Sequence, residues 1–196
     1  AGCLLTGCTN IMLGNSAGNK STDATGNTFV GYQAGVCNTT GDKNTFIGCK
    51  AGIGYTTGCA NISVGYNAGP ASCGATGSAN ISMGYLSGKC ISSAECNISI
   101  GECAACCLST CGCNVAIGKL AGRGYASGSE NVSIGNESGS QSGNSSGSGN
   151  ITLGKAGQCI TTGSNNIAMG IVNMTTGNVQ GDANISMGPY TGRRLT

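Results

Sequence analysis

The sequence predicts an all-β fold, a β-solenoid (parallel β-helix or β-roll) of about eleven 17-residue coils braced by disulfides. Three observations predict this fold. A short motif recurs along the whole chain, 37 of the 196 residues are glycine, and most copies of the motif contain alternating apolar and small residues. A fixed internal period is the signature of a repeat architecture, in which each unit contacts mainly its neighbours.

The recurring motif is Asn-x-x-x-Gly, and its copies are usually 17 residues apart. Every fourth repeat carries two extra residues, so Asn10, Asn80 and Asn150 are 70 residues apart. We interpret residues 1–196 as one β-solenoid repeat domain. Its coils start near Asn10, Asn27, Asn44, Asn61, Asn80, Asn97, Asn114, Asn131, Asn150, Asn166 and Asn184.

The residues after each motif Asn alternate in the way that a short strand does. The first is Ile, Val or Thr, the third is Leu, Ile, Val or Met, and the second is usually small or polar, as in Ser63 and Ser82. This period of two predicts a three-residue strand with the first and third side chains buried and the second outward. Eleven stacked coils at about 4.8 Å each predict a rod of roughly 50 Å.

Composition excludes several classes of protein. Charged residues are 8% of the chain and the formal net charge is +2, which gives no electrostatic reason to expect a nucleic-acid partner. No apolar run is long enough to cross a bilayer, so we expect no membrane insertion. No signal peptide is visible, and we expect any targeting segment to lie outside the sequence. The sequence starts and stops in mid-repeat, which predicts end-to-end stacking or a longer parent chain.

The cysteine content predicts disulfides and an oxidising, extracellular compartment. We expect pairs within one coil, namely Cys3–Cys8, Cys90–Cys96 and Cys107–Cys113, with Cys106–Cys111 as an alternative. A bond between coils, such as Cys59–Cys73, is also compatible with the sequence, which does not fix connectivity. The candidates are all fourteen cysteines: Cys3, Cys8, Cys37, Cys49, Cys59, Cys73, Cys90, Cys96, Cys103, Cys106, Cys107, Cys111, Cys113 and Cys159.

The cysteines also suggest a metal site or a free thiol. Cys103-x-x-Cys106 has the spacing of zinc ligands. Histidine is absent, however, and most cysteines follow the repeat, so we predict structural disulfides and neither a metal nor a cofactor. Cys159 has no near partner in the sequence and is the best candidate for a free or intersubunit thiol.

Asn-x-Ser/Thr sequons make the chain a candidate glycoprotein. Because this composition generates such sequons freely, a buried asparagine ladder is the competing interpretation of those that coincide with the motif Asn. The longer loops at Asn136 and Asn144 are the preferred sites. The candidates are Asn19, Asn38, Asn61, Asn80, Asn97, Asn131, Asn136, Asn144, Asn150, Asn173 and Asn184.

The sequence contains few other side chains that could bind a ligand or act in catalysis. Tyr32, Tyr66 and Tyr85 occupy equivalent places in their repeats and predict a surface aromatic stripe, suited to covering the rod or to binding carbohydrate. The seven carboxylates occupy no repeated position and the usual general base, His, is absent, so we predict that the chain is not an enzyme.

The repeats resemble a known group of fibre proteins. Asn27-Thr28-Phe29-Val30-Gly31-Tyr32-Gln33-Ala34-Gly35 and Thr39-Thr40-Gly41-Asp42-Lys43-Asn44 are similar to repeats of phage and viral tail-fibre proteins and of bacterial surface adhesins, including the β-roll heads of trimeric autotransporter adhesins. The resemblance implies display on a cell or virion surface, attachment and homo-oligomers, often trimers. The cysteine content departs from such repeats.

Three functional hypotheses follow. The first is a structural subunit of an extracellular fibre or filament that assembles with itself by solenoid stacking. The second is an adhesin or tail-fibre shaft that binds surface glycans. The third is an ice-binding solenoid that presents an outward row of Ser and Thr hydroxyls to water.

Overall fold

The computed structural model describes residues 6–139, 145–158, 160–173 and 180–191, and these residues form eleven strands and no helix. None of them lies in a helix long and apolar enough to span a membrane. The strands are β1 Ile11–Leu13, β2 Thr28–Val30, β3 Thr45–Ile47, β4 Ile62–Val64, β5 Ile81–Met83, β6 Ile98–Ile100, β7 Val115–Ile117, β8 Val132–Ile134, β9 Ile151–Ala156, β10 Ile167–Asn173 and β11 Ile185–Met187.

The eleven strands form one parallel sheet in chain order, β1 to β11, which confirms the predicted β-solenoid. Each coil contributes one strand, and equivalent residues of successive coils pair, as Ile62 does with Ile81. We number the coils 1 to 11 from the motif asparagines, and we count positions in a coil from that Asn. The strand therefore starts at position 1, and each side chain stacks on its equivalents in the neighbouring coils.

The glycine that follows each strand allows the chain to turn. Gly31 has a φ of 134°, and a Cβ added there would lie 2.4 Å from the carbonyl oxygen of Gly48 in the next coil. Such a contact is far too short for any side chain, so the close stacking of coils at this corner requires glycine. Positive φ values also recur at non-glycine residues, such as Gln33 and Lys43, where the chain turns again.

The interior of the solenoid is narrow. Its main apolar cluster is made largely of alanines, such as Ala34 and Ala51, with a few larger side chains inserted between coils. Phe29 and Phe46 are fully buried and stack with ring centroids 4.9 Å apart, and Phe46 stacks on Tyr55 at 5.4 Å. The interior therefore accepts only a few larger side chains among the alanines.

The prediction that the first and third strand residues are buried and the second is outward is wrong. The second strand residue points inward, as Phe29, Ser63 and Ser99 are fully buried, while the aliphatic residues on either side of it lie outward. The opposite wall explains this arrangement. A Cβ added at Gly69 would lie 2.5 Å from Ser63 Oγ, so two large aliphatic side chains per strand have no room inside.

Candidate functional site

A ladder of buried asparagines joins all the coils. At each of ten junctions, the backbone N–H of one motif Asn donates to Oδ1 of the motif Asn in the preceding coil, at 2.8–3.1 Å. The side-chain amide also closes its own coil, as when Asn97 Nδ2 donates to the carbonyl of Cys111 at 3.2 Å. The interpretation of the motif Asn as a buried ladder is therefore confirmed.

The ladder determines which sequons are accessible. The motif sequons at Asn61, Asn80, Asn97, Asn131 and Asn150 are buried, and their Nδ2 atoms, to which a glycan would be attached, donate to Oδ1 of the preceding Asn.

Other sequons lie in different surroundings. Asn38 is also buried, Asn184 is partly buried, and Asn19 and Asn136 are exposed. Asn144 and the side chain of Asn173 lie outside the described residues. Glycosylation stays a prediction, with Asn19 and Asn136 as the accessible described sites.

The outer face of the sheet is apolar. We define the outer aliphatic face as the first and third residues of β1 to β11. Of these 22 residues, 20 are Ile, Val, Leu or Met, and the other two are Thr28 and Thr45. None of the 22 is buried, and Met83 and Ile134, both central in the sheet, are 39% and 40% exposed. Monomeric proteins seldom expose so long a contiguous apolar surface, so the outer aliphatic face is a candidate contact site.

Three tyrosines lie beside this face, one residue beyond the corner glycine. Tyr32, Tyr66 and Tyr85 are each about half exposed, as an aromatic stripe requires. Tyr66 and Tyr85 stack with ring centroids 5.7 Å apart, whereas Cys49 occupies the equivalent position between Tyr32 and Tyr66. The structure thus pairs two of the three predicted rings. Tyr55 and Tyr125, by contrast, are buried.

The hydroxyl row of the ice-binding hypothesis is not on the surface. It depended on outward second strand residues, but Ser63, Ser82, Ser99 and Ser133 are all fully buried. The ice-binding hypothesis therefore has no outward row of hydroxyls to support it.

One disulfide links Cys37 to Cys73, with the Cα atoms 5.7 Å apart. The bond joins coils 2 and 4 and passes over Gly54 of coil 3. It forms because the extra residues of coil 4 fold back: Gly74 N–H donates to the Gly54 carbonyl at 3.1 Å, and Ser72 O lies where a Gly54 Cβ would be. The suggested Cys59–Cys73 pair is therefore wrong. The Cys59 thiol instead accepts a hydrogen bond from the Asp42 N–H at 3.3 Å.

The pairs Cys90–Cys96, Cys107–Cys113 and Cys106–Cys111 are also wrong in this structure, because all six thiols are free. Cys3–Cys8 includes a residue outside the described ranges and stays a prediction. Between Cys107 and Cys113, which are exposed, the side chains of Leu108 and Cys111 point inward. Cys3 and Cys159 lie outside the described residues. The free thiols among the described cysteines are Cys8, Cys49, Cys59, Cys90, Cys96, Cys103, Cys106, Cys107, Cys111 and Cys113.

Thiols cluster on coils 5 and 6. Burial, followed by the neighbouring thiols of Cys107 and Cys103, raises the pKa of Cys106 to about 12 against the opposing effect of Arg123. Burial, followed by Cys107, also raises the pKa of Cys90. Among the described residues, no group of three or more His, Cys, Asp or Glu side chains is arranged to hold a metal ion. Burial therefore keeps Cys90 and Cys106 protonated at neutral pH.

A cleft of about 380 Å³ lies between the inserted loop of coil 4 and the next coil. Cys73, Lys89 and Cys90 are among its lining residues, so a free thiol and the disulfide share one cleft. The cleft contains no carboxylate in its lining. The described ion pairs lie elsewhere, on the surface: Lys119 with Glu102 at 3.0 Å and Lys155 with Glu137 at 2.7 Å.

The narrow interior and the reach of the loop in coil 4 were not predicted, although the sequence contains a signal for each. The Ala-Gly associated with six of the eleven strands, as in Ala34-Gly35 and Ala68-Gly69, indicates an interior too narrow for paired aliphatic residues. The two extra residues of coil 4 indicate a loop with room to reach a non-adjacent coil.

No family model matches the chain, and no match was found among the curated proteins or the solved structures.

Proposed function

We propose that the chain is a structural element of an extracellular fibre, a stiff rod to which further copies add by solenoid stacking. The observation that supports this most directly is the ladder from Asn10 to Asn184, in which the backbone N–H to Oδ1 hydrogen bond is repeated at every junction between coils. In such an architecture stability is a sum of nearest-neighbour terms, and a coil from another copy would add the same term.

The side chains support a mechanical role and not catalysis. The sequence has no His, and the described acidic residues in ion pairs, Glu102 and Glu137, face surface lysines. A general base placed beside a nucleophile is the usual requirement for acyl or phosphoryl transfer. We therefore propose that the chain is not an enzyme.

The disulfide supports placement outside the cell. Cys37–Cys73 bridges two non-adjacent coils, and bonds of this kind persist in oxidising compartments. The resemblance to tail-fibre and adhesin repeats agrees with this location, and we propose a cell or virion surface.

The test is electron microscopy of the purified, unreduced chain. We expect straight rods of roughly 50 Å, or filaments built of such rods, with an axial spacing of about 4.8 Å. Compact particles without this spacing would overturn the proposal. Filaments would favour end-to-end stacking, and discrete rods would favour a shaft of fixed length.

A second candidate function is a shaft that binds surface glycans. The stacked pair Tyr66–Tyr85 favours it, because two exposed, parallel rings form a flat apolar platform of the kind that packs against a sugar ring. A glycan array with the unmodified chain, with Tyr66→Ala and Tyr85→Ala, tests this. Binding lost in both variants but kept in Tyr190→Ala, an exposed tyrosine on another coil, supports it, and an array without hits excludes it.

A further inference from the structure

Nothing in the described part of the chain covers the outer aliphatic face. Its exposed fractions are similar through the middle of the sheet, at 41% for Ile47, 37% for Ile62 and 40% for Ile134. The face is therefore continuous and not a set of separate exposed residues. Because sheets with one polar face normally alternate apolar and polar residues, an apolar outer face combined with a small-residue inner face inverts the usual arrangement.

We propose that this face packs against the same face of another copy of the chain, so that two or more rods associate side by side. The proposal builds on the structural role proposed above, since it names the partner of the rod and the surface that binds it.

The size of the face suits such an interface. Eleven strands at about 4.8 Å give a strip roughly 50 Å long, and its two rows of side chains lie about 7 Å apart along each strand. With the width of the side chains included, the strip offers on the order of 600 Å² of apolar surface. A stable interface of standard size uses about 800 Å² per partner, so this strip and its edges are of the right size.

The shape of the face points to an identical partner. An occupant must be flat, apolar and as long as the rod, and it must match a strand spacing that repeats without interruption. Another copy has all these properties, and two sheets that pack face to face interdigitate their side chains at a separation of about 10 Å. Self-complementary contacts of this kind are the commonest way in which soluble proteins form oligomers.

The edges of the face fit the same interpretation. One residue beyond the corner glycines, Glu102 pairs with Lys119, and in a later coil Lys155 pairs with Glu137. These charges lie beside the apolar strip and not within it. An apolar centre with a polar, solvated rim is the usual anatomy of a protein interface.

The experiment measures the mass of the native chain in solution by light scattering during size-exclusion chromatography, at tens of micromolar. The test variant is Met83→Lys with Ile134→Lys, which places a charge on two outward positions of the face. The control is Thr110→Lys with Ser127→Lys, which adds the same charge at exposed positions outside the strands. We expect the unmodified chain and the control to have at least twice the mass of one chain, and the test variant to have about half the mass of the control.

A milder variant keeps the test valid if the lysine variant does not fold. Met83→Thr with Ile134→Thr uses a residue that the face already contains at Thr28 and Thr45. We expect a weaker association, with the dissociation constant raised at least tenfold and an unchanged β circular-dichroism spectrum. An unmodified chain with the mass of a single copy overturns the inference, as does a lysine variant that is folded and keeps its assembled mass.

The same samples separate this inference from the proposed function. Single rods of roughly 50 Å seen by electron microscopy would leave the structural role intact and exclude association through the face. Multimeric particles without the axial spacing would overturn the rod and the inference that depends on it.

Discussion

Asn97 and Asn80 are joined by two hydrogen bonds to one atom. The backbone N–H and the Nδ2 amide of Asn97 both donate to Oδ1 of Asn80, at 3.1 and 2.9 Å. Both residues are fully buried, and Asn97 Oδ1 in turn accepts two bonds from Asn114. Each asparagine thus links its own coil to the one before and the one after, in an interior where unpaired polar groups are costly.

Replacing Asn97 by Ala should destabilise the solenoid strongly. The change leaves the buried backbone N–H of Asn114 and the carbonyl of Cys111 without their side-chain partner. Each buried group left unpaired costs about 1–3 kcal/mol, so we expect the free energy of unfolding to fall by about 3 kcal/mol. Urea unfolding followed by circular dichroism measures it. The control Asn136→Ala changes an exposed asparagine and should stay within about 0.5 kcal/mol of the unmodified chain; equal effects would exclude the ladder as the source of stability.

Serine at the inward strand position should be dispensable in one coil and required in another. Ser99 Oγ is buried and has no hydrogen-bond partner in the structure, and Ala116 fills the same position in the next coil. We expect Ser99→Ala to raise the free energy of unfolding by about 1 kcal/mol.

Ser133 is the matched comparison. Its hydroxyl is hydrogen-bonded to the Tyr125 hydroxyl and, at 2.8 Å, to Thr152 Oγ1. We therefore expect Ser133→Ala to lower stability by about 1–2 kcal/mol in the same unfolding assay. A loss of stability in Ser99→Ala as large as in Ser133→Ala would show that the Ser99 hydroxyl is satisfied after all.

The repeat made the fold predictable, but it did not show which strand side chains point into the solenoid. The spacing of the asparagines determines one strand per coil, and the pairing of Ile62 with Ile81 follows from it. Alternation alone does not tell which set of side chains is buried, because both faces of this strand are free of charge. The opposite wall of the coil determines which side chains are buried, because Gly69 lies against Ser63 and leaves room only for a small residue. Such a contact between distant positions of a coil is set by tertiary geometry.

The covalent and surface chemistry was predictable only in part. The sequence located Tyr32, Tyr66 and Tyr85 in one file because the file follows the repeat. It did not predict that Cys37 pairs with Cys73, because this pair depends on a loop that leaves the repeat and folds back over Gly54. The sequence period predicts features that recur in every coil, whereas the path of an inserted loop depends on its three-dimensional contacts.

Filling the position under the disulfide should have the same effect as breaking the bond. Ser72 O lies 2.2 Å from where a Cβ of Gly54 would be, so Gly54→Ala displaces the loop that carries Cys73. Cys73→Ser removes the bond directly and should cost about 3 kcal/mol. Thiol counting with Ellman's reagent under denaturing, non-reducing conditions should find additional free thiols in Gly54→Ala. A thiol count unchanged from the native chain would show that the bond tolerates a displaced loop.

Stability should fall in alkaline solution. Burial and neighbouring thiols raise the pKa of Cys106 to about 12, and burial raises the pKa of Tyr125. The folded state therefore holds protons that the unfolded chain releases, so the stabilisation is complete below the unfolded thiol pKa of about 8.5 and is lost as the pH rises toward 12. Unfolding midpoints measured from pH 8 to 11 should decrease steadily. Cys106→Ser should flatten this decrease, and a flat profile in the unmodified chain would contradict the expectation.

Mild oxidation should pair cysteines of neighbouring coils and not cysteines of the same coil. Cys90 and Cys107 occupy the same position in coils 5 and 6, as do Cys96 and Cys113, and stacked positions lie about 4.8 Å apart, within the Cα range that disulfides accept. Cleavage after Glu95 and Glu102 separates the alternatives by mass. Bonds between coils attach residues 1–95 and residues 96–102 each to residues 103–130, whereas a Cys90–Cys96 bond attaches the first two peptides to each other. Cys107→Ser should release only residues 1–95, which keep their Cys37–Cys73 bond, and a digest dominated by the Cys90–Cys96 product would show that the coils open before they oxidise.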